Sequence, residues 1–137
     1  MKNSILFLVL CLFFACQSNS ADSSAAQAAS SNSASSTYAK LDPAQFAAKL
    51  EETKGQLVDV RTRKEYVAGH IEGSVNMDFH GSKFEEQLLQ LDKEKPVFVY
   101  CKSGGRSGKT GNRLKSLGFK EIYDLDGGYK SWLKNTQ

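Results

Sequence analysis

Short apolar segments alternate with amphipathic ones from Tyr38 to the end of this 137-residue chain, and this alternation is its strongest constraint on fold. Between the apolar segments lie stretches with apolar residues at helical spacing, such as Phe46, Ala47 and Leu50. Strands separated by helices favour a parallel sheet, because parallel neighbours need crossover connections. The pattern therefore predicts an α/β fold with a central parallel sheet and helices on both faces. The predicted strands are Gln56–Val60, Ser74–Met77, Val97–Tyr100 and Glu121–Leu125.

Local signals place the start of several helices. Asp42 followed by Pro43 is typical of an N-cap and a first helical position, and predicts a helix to about Glu52. Thr62 predicts the cap of a second, brief helix. A further helix is expected to begin near Ser107.

The first fifteen residues have the composition of an export signal. Lys2 precedes an apolar run from Ile5 to Ala15, which is too short to span a bilayer as a helix. The run ends in Ala15-Cys16 and resembles the signal of bacterial lipoproteins, although Phe13 stands where that pattern usually has an aliphatic residue. We therefore expect residues 1–15 to be removed, Cys16 to be lipidated, and the protein to lie in a bacterial cell envelope or periplasm, anchored to a membrane. The alternative is an ordinary secretory signal with an incidental cysteine.

We expect residues 16–37 to comprise the lipidated cysteine and a flexible tether. From Gln17 to Thr37 the chain is almost wholly Ser, Ala, Asn and Gln, without aromatic residues or apolar periodicity, so it cannot bury enough surface to fold. Residues 38–137 then form one small domain with a modest core. We expect this domain to be monomeric. The formal net charge of +3 argues against general nucleic-acid binding, which normally needs a strong basic patch.

Cys101 is the candidate nucleophile, because it ends an apolar strand and opens a loop of glycines and basic residues. Backbone N–H groups of such a loop can converge on one point, and the N-terminus of the following helix adds a positive dipole. Both effects make a thiol more acidic, and the thiolate is the reactive form. The alternative is a buried core cysteine. The predicted substrate-binding residues are Lys102, Ser103, Gly104, Gly105, Arg106 and Ser107.

The order and spacing of several motifs from Tyr38 to Gln137 resemble those of the rhodanese family, and in particular small exported thiosulfate sulfurtransferases. The resemblance implies that the Cys101 thiolate takes a sulfane sulfur from an anionic donor such as thiosulfate, becomes a persulfide, and passes the sulfur to cyanide or a thiol, with no cofactor. A persulfide carrier or binding module for a partner protein, without turnover of small donors, is the alternative. The matching segments are Leu57–Arg61 with Glu65-Tyr66, Gly69–Asn76, the Cys101 loop, Gly118-Phe119 and Gly127–Trp132.

Two other enzyme classes have similar loops. Phosphatases and arsenate reductases of the same fold have a loop one residue longer, whereas four residues separate Cys101 from Arg106 here. The shorter loop favours sulfur over phosphate. Residues 103–110 also differ from a nucleotide-binding P-loop only at Ser103, but the small domain and the export signal argue against that class.

The charged residues near the loop have separate expected roles. Arg106 is expected to brace the loop and to place a positive charge near the donor, and Lys102 is expected to be the residue most exposed to substrate. Asp59 and Arg61 end a strand beside the pocket, where an internal ion pair that fixes the loop and a role in catalysis are both open.

Two histidines and two glycines of the predicted helix after the Cys101 loop are also candidates for a special role. His70 is expected to make a structural hydrogen bond rather than to act as a base, and His80 is expected at the surface. Neither forms a metal-ligand motif with Cys101, so no metal site is expected. Gly108 and Gly111 stand where the resembling family usually has alanine, and each costs about 1 kcal/mol of helix stability unless it permits close packing.

Overall fold

The structure of the chain is a computed structural model that describes residues 35–136, in which five strands alternate with five helices. The predicted signal segment 1–15, Cys16 and the tether up to residue 34 lie outside the described residues. Within the described range, no helix is both long enough and apolar enough to cross a membrane. The strands are β1 (Thr37–Leu41), β2 (Gln56–Asp59), β3 (Val75–Asn76), β4 (Val97–Tyr100) and β5 (Glu121–Leu125), and the helices are α1 (Pro43–Thr53), α2 (Arg63–Val67), α3 (Phe84–Leu89), α4 (Gly105–Ser116) and α5 (Gly128–Asn135).

All strand pairs of the sheet are parallel, and the strand order is β1-β5-β4-β2-β3. Strand β4 lies in the middle, hydrogen-bonded to β2 on one side and to β5 on the other. Its four residues are all buried, as expected for a strand covered on both faces. The predicted central parallel sheet is confirmed.

Helices cover both faces of the sheet. Alternate residues of each strand point to opposite faces, so each strand contributes to a core on either side. Val99 of β4 joins a core cluster with Leu114 of α4, while its neighbour Phe98 joins a second cluster with Phe46 of α1. The Phe46 and Phe98 rings meet edge to face, with centroids 5.2 Å apart. The carboxyl end of β4 is therefore held from both sides, and this is where the chemistry-bearing loop begins.

Several boundaries differ from the sequence prediction. Strand β2 ends at Asp59 rather than Val60, and β3 is limited to Val75–Asn76. Strand β1 was not predicted, and it begins at Thr37, the last residue assigned to the tether. It pairs with β5, more than eighty residues along the chain, so no local sequence pattern predicts this strand. Helix α4 begins at Gly105 rather than near Ser107, whereas α1 begins at Pro43 with Asp42 as its N-cap, as predicted.

Candidate active site

Cys101 directly follows β4 and is the only cysteine within residues 35–136. The residue is 1% exposed, behind the loop that leads into α4. The loop residue Gly104 has φ of 100°, a left-handed conformation that glycine adopts without strain, and it caps α4. This turn folds the backbone over the sulfur within three residues.

The loop surrounds the sulfur with hydrogen-bond donors. The Gly104 N–H donates to Cys101 Sγ at 3.1 Å, and the Ser107 hydroxyl donates at 3.6 Å. Burial alone would raise the pKa of the thiol, but donors from Ser107, Ser103 and Gly104 outweigh it, so the pKa of Cys101 lies below its ordinary value. The N-terminal dipole of the twelve-residue α4 acts in the same direction. The site therefore favours a thiolate, the nucleophilic form of cysteine.

Helix α5 supports the loop from behind. The Tyr129 N–H donates to the Cys101 carbonyl at 2.8 Å, and the Lys130 N–H donates to the Lys102 carbonyl at 3.2 Å. A Cβ atom at Gly128 would lie 2.5 Å from the Cys101 carbonyl oxygen, and its φ of 61° is left-handed. Gly128 thus permits a close approach between two backbones that no larger residue could allow.

Arg106 braces the site through a bidentate ion pair with Glu65. Arg106 Nη1 donates to Glu65 Oε2 at 2.8 Å and Nη2 donates to Oε1 at 3.0 Å, so α4 is tied to α2. Glu65 also accepts from the N–H of Thr62 at 2.9 Å, within the capping box of α2. Mainly because of Arg106, the pKa of Glu65 is lowered to about 2. The bracing role expected for Arg106 is present, but its charge is largely balanced by Glu65 rather than left free for a donor anion.

Asp59 and Arg61 form a buried ion pair. The Arg61 Nη2 group donates to Asp59 Oδ2 at 2.6 Å and to the Gly69 carbonyl at 2.7 Å. The Arg61 guanidinium also lies over the Tyr129 ring, 4.0 Å from its centroid. Asp59 is fully buried and Arg61 is 4% exposed. Of the two roles left open by the sequence, the geometry shows the internal ion pair, which connects the end of β2 to the start of α5.

The predicted substrate-binding residues differ in burial. Lys102, Ser103 and Gly105 are exposed, whereas Gly104 and Arg106 are half-buried. Ser107 is fully buried against the sulfur, so it holds the thiol rather than facing an open pocket.

A shallow cleft of about 280 Å³ lies beside the loop. Cys101 does not line it, but its neighbour Lys102 does, together with Lys130 and Leu133. Lys102 has no ion-pair partner among the described residues. An anion in this cleft would meet uncompensated positive charge next to the thiol loop.

The histidines take no part in this arrangement. His70 Nδ1 lies 3.0 Å from the Tyr66 carbonyl oxygen and its ring stacks on Tyr66, which is the structural role expected for it. His80 is exposed. Among residues 35–136, no group of three or more His, Cys, Asp or Glu side chains is arranged to hold a metal ion.

Sequence reasoning missed Glu65 as a residue of the site. The Thr62-x-x-Glu65 spacing is a capping-box signature, so the role of Glu65 in α2 could have been predicted. Its contact with Arg106, 41 residues away, could not, because that pairing depends on how α2 and α4 meet at the sheet edge.

Known proteins are similar to this chain in both sequence and fold. A profile of the rhodanese-like domain family matches residues 42–135. Thiosulfate sulfurtransferase GlpE of Pseudomonas paraeruginosa is 34% identical over 98 residues, which cover 72% of this chain and 86% of GlpE. The uncharacterized protein YqhL of Bacillus subtilis is 39% identical over 79 residues, which cover 58% of this chain but only 61% of YqhL. The crystal structure of a rhodanese-related protein from Thermoplasma volcanium superposes with a TM-score of 0.63 at 28% identity, covering 72% of this chain and 93% of that one.

Proposed function

Because this chain belongs to the rhodanese-like domain family, whose members include sulfurtransferases, we propose that it transfers a sulfane sulfur from thiosulfate or a similar donor through a persulfide on Cys101. The observation that carries the proposal is the pair of donors on the sulfur, the Gly104 N–H and the Ser107 hydroxyl. They favour the thiolate without a neighbouring base, and nothing else in the described loop offers a nucleophile of comparable strength.

Sulfur transfer takes two displacement steps at Cys101. In the first, the thiolate attacks the outer sulfur of thiosulfate, a new S–S bond forms, and the bond to the sulfonate sulfur breaks, with its electron pair leaving on sulfite. In the second, cyanide or a thiolate attacks the outer sulfur of the persulfide and the Cys101 thiolate is regenerated. No external oxidant or reductant is consumed.

The charges around the loop suit an anionic donor. Lys102 and Lys130 are both exposed and line the same cleft. Arg106 balances the carboxylate of Glu65, which would otherwise place a negative charge beside the thiolate. A doubly charged donor therefore meets net positive charge as it approaches Cys101.

Turnover with cyanide tests the proposal. The purified full chain, given thiosulfate and cyanide, is expected to form thiocyanate continuously, and Cys101→Ser is expected to form none above the uncatalysed rate. If wild type takes sulfur from thiosulfate but does not turn over with cyanide, the carrier alternative is supported instead. Equal thiocyanate formation by wild type and Cys101→Ser would contradict both.

We also propose that the mature protein is anchored to a bacterial membrane through a lipid on Cys16. The support is the apolar run that ends in Ala15-Cys16, followed by a polar tether long enough to hold the domain clear of a surface by roughly 25 Å. In a detergent phase partition of the protein made by cells, the anchored form is expected in the detergent phase. Recovery in the aqueous phase with an unmodified Cys16 would contradict the anchor.

A further inference from the structure

The cleft beside the Cys101 loop is larger than the proposed small substrates require. Its volume of about 280 Å³ lies near the lower end of the range typical of small-molecule sites, roughly 300–1,000 Å³. Thiosulfate and cyanide are far smaller than this space, and neither has a hydrocarbon part. A ligand that used the whole cleft would therefore be a larger molecule.

Several of the residues that line the cleft are apolar and open to solvent. Leu133 on α5 is 41% exposed, and Ala68, which directly follows α2, is exposed as well. Tyr129 also lines the cleft, and the Arg61 guanidinium stacks on its ring. A ligand with a hydrocarbon part would remove this apolar surface from water, which is favourable in proportion to the area covered.

The charged residues of the cleft leave a positive excess. Arg61 and Glu65 are each held in the ion pairs described above, so their charges are balanced. Lys102 and Lys130 also line the cleft, and neither forms an ion pair among the residues that the structure describes. Two ammonium groups next to exposed apolar surface suit a ligand that combines a carboxylate with a hydrocarbon chain.

Helix α5 fixes the cleft relative to the thiol. Its first turn holds the loop backbone, because the Tyr129 N–H donates to the Cys101 carbonyl at 2.8 Å and the Lys130 N–H donates to the Lys102 carbonyl at 3.2 Å. The same helix carries Leu133. Cys101 itself does not line the cleft, so a ligand bound there must extend out of it to reach the sulfur. A persulfide reaches further than the thiol, because its outer sulfur lies about 2 Å beyond Sγ.

The sulfur acceptor is the substrate that such a ligand would be. Within residues 35–136, Cys101 is the only cysteine, so a persulfide formed on it has no second thiol in this part of the chain to attack it. An external acceptor must supply that thiol, and it must be held long enough for its sulfur to reach the persulfide. The cleft offers apolar contact and positive charge for this purpose beside the loop.

We propose that the cleft binds the sulfur acceptor, and that this acceptor is a thiol joined to a carboxylate by a hydrocarbon chain. The carboxylate binds to Lys102 and Lys130, and the chain lies against Leu133. The acceptor thiolate attacks the outer sulfur of the protonated persulfide, and the persulfide S–S bond breaks with its electron pair on Cys101 Sγ. The acceptor leaves as a persulfide that keeps the proton, so no oxidant or reductant is consumed. The inference rests on the proposed function.

Sulfur transfer from the preformed persulfide tests the cleft. The full chain is loaded with thiosulfate, freed of excess reagent and mixed with one thiol at a time, and loss of the added sulfur is followed by intact mass. At the same low concentration, 8-mercaptooctanoate is expected to react at least tenfold faster than mercaptoacetate, because its chain covers apolar surface. It is expected to react about fivefold faster than 8-mercaptooctan-1-ol, which lacks the carboxylate. Equal rates for the three thiols would overturn the proposal.

Variants of the cleft locate each preference. Leu133→Ser is expected to lower the rate ratio of 8-mercaptooctanoate to mercaptoacetate about threefold. Lys130→Ala is expected to lower the preference for the carboxylate over the alcohol to about twofold. The matched controls are Leu89→Ser, an exposed leucine on α3, and Lys134→Ala, an exposed lysine on α5, neither of which lines this cleft. Both ratios should stay at their wild-type values in the controls. If Leu133→Ser and Lys130→Ala leave both ratios unchanged, the cleft does not select the acceptor.

Binding of octanoate separates failure of this inference from failure of the proposed function, because octanoate has no thiol and needs no persulfide. In ¹H–¹⁵N spectra of the full chain, octanoate is expected to shift the backbone amide signals of Lys102, Lys130 and Leu133. Octanamide, which lacks the charge, is expected to shift them less at the same concentration. An absence of shifts at these amides would overturn the inference, even if Cys101 accepts sulfur from thiosulfate and passes it to cyanide.

Discussion

The two arginines beside the Cys101 loop are both paired with carboxylates, yet the pairs differ in burial and in what they connect. Arg61 and Asp59 lie two residues apart at the end of β2 and are 5% and 0% exposed in their side chains. Arg106 and Glu65 are 20% and 27% exposed and join two helices that are distant in sequence. Their shortest distances, 2.6 and 2.8 Å, are similar. Distance alone therefore does not tell which pair stabilises the fold and which one sets the charge near the Cys101 loop.

Burial decides the energetic difference between the pairs. Removing one partner of a buried pair leaves a charge without water or a counter-ion, which is strongly destabilising. A partly exposed pair is screened by solvent and contributes little to stability. Arg106 matters for another reason, since its loss would leave the Glu65 carboxylate uncompensated near the Cys101 loop and the proposed anionic donor.

The largest effect is expected for Arg61→Ala, which leaves Asp59 buried and unpaired. The free energy of unfolding, measured by urea denaturation, is expected to fall by about 3–5 kcal/mol, a large part of the stability of a domain this size. Arg61→Lys keeps the charge but loses the fork geometry and the stacking on Tyr129, so it should fall between alanine and wild type. A loss below about 1 kcal/mol for the alanine variant would mean that this pair resembles a surface pair.

Next in size is the effect of Arg106→Leu on sulfur transfer. The rate of thiocyanate formation at low thiosulfate is expected to fall at least tenfold, because the free Glu65 carboxylate repels the donor, while the free energy of unfolding changes by about 1 kcal/mol or less. Arg113 provides a matched control, since it pairs with Glu85 at the same 2.8 Å on an exposed surface. Arg113→Leu is expected to change neither quantity.

A companion variant sharpens this interpretation. Glu65→Gln removes the carboxylate and leaves the Arg106 charge in place, so thiosulfate turnover should be retained or increased. If Glu65→Gln loses as much activity as Arg106→Leu, the pair acts by holding the loop geometry and not through charge.

A smaller effect is expected in acid. The pKa of Glu65 is about 2 in the folded protein against an ordinary value of 4.5, so the charged form is favoured by folding. Its contribution to stability is complete above about pH 4.5 and is lost as the pH falls towards 2. Urea unfolding of wild type and Glu65→Gln at several pH values should therefore show a stability difference that shrinks below pH 4.5. A difference independent of pH would show that Glu65 is not held in its charged form by Arg106.

The smallest effect is expected for Lys102→Ala. This exposed side chain lines the cleft, where it would attract the proposed anionic donor, and it makes no ion pair among the described residues. The KM for thiosulfate is expected to rise a few-fold with kcat nearly unchanged, and the rise should diminish at high salt. An effect as large as that of Arg106→Leu would reverse the order of importance argued above.

The features that could be predicted from sequence are those set by neighbouring residues. The strand Val97–Tyr100, the thiol that ends it and the glycine loop that follows lie within eleven residues, and the structure places them together as predicted. The cap at Asp42 is likewise local.

The features that sequence did not predict depend on distant contacts. Strand β1 is an edge strand defined by its pairing with β5, and Arg106 finds Glu65 through the meeting of two helices. Asp124 was not predicted as a buried acid, because it lies within an apolar strand and its hydrogen bond comes from Tyr38, 86 residues away. Gly111 was recognised as unusual, but its partner Tyr38 could not be named without the fold.

The most direct test of the account is the intact mass of the full chain after incubation with thiosulfate and removal of excess reagent. Wild type is expected to gain about 32 Da, the mass of one sulfur atom, and to lose it again when cyanide is added. Cys101→Ser, which retains Cys11 and Cys16, is expected to gain nothing. The absence of the adduct on wild type, or an equal adduct on Cys101→Ser, would contradict the claim that Cys101 carries the sulfur.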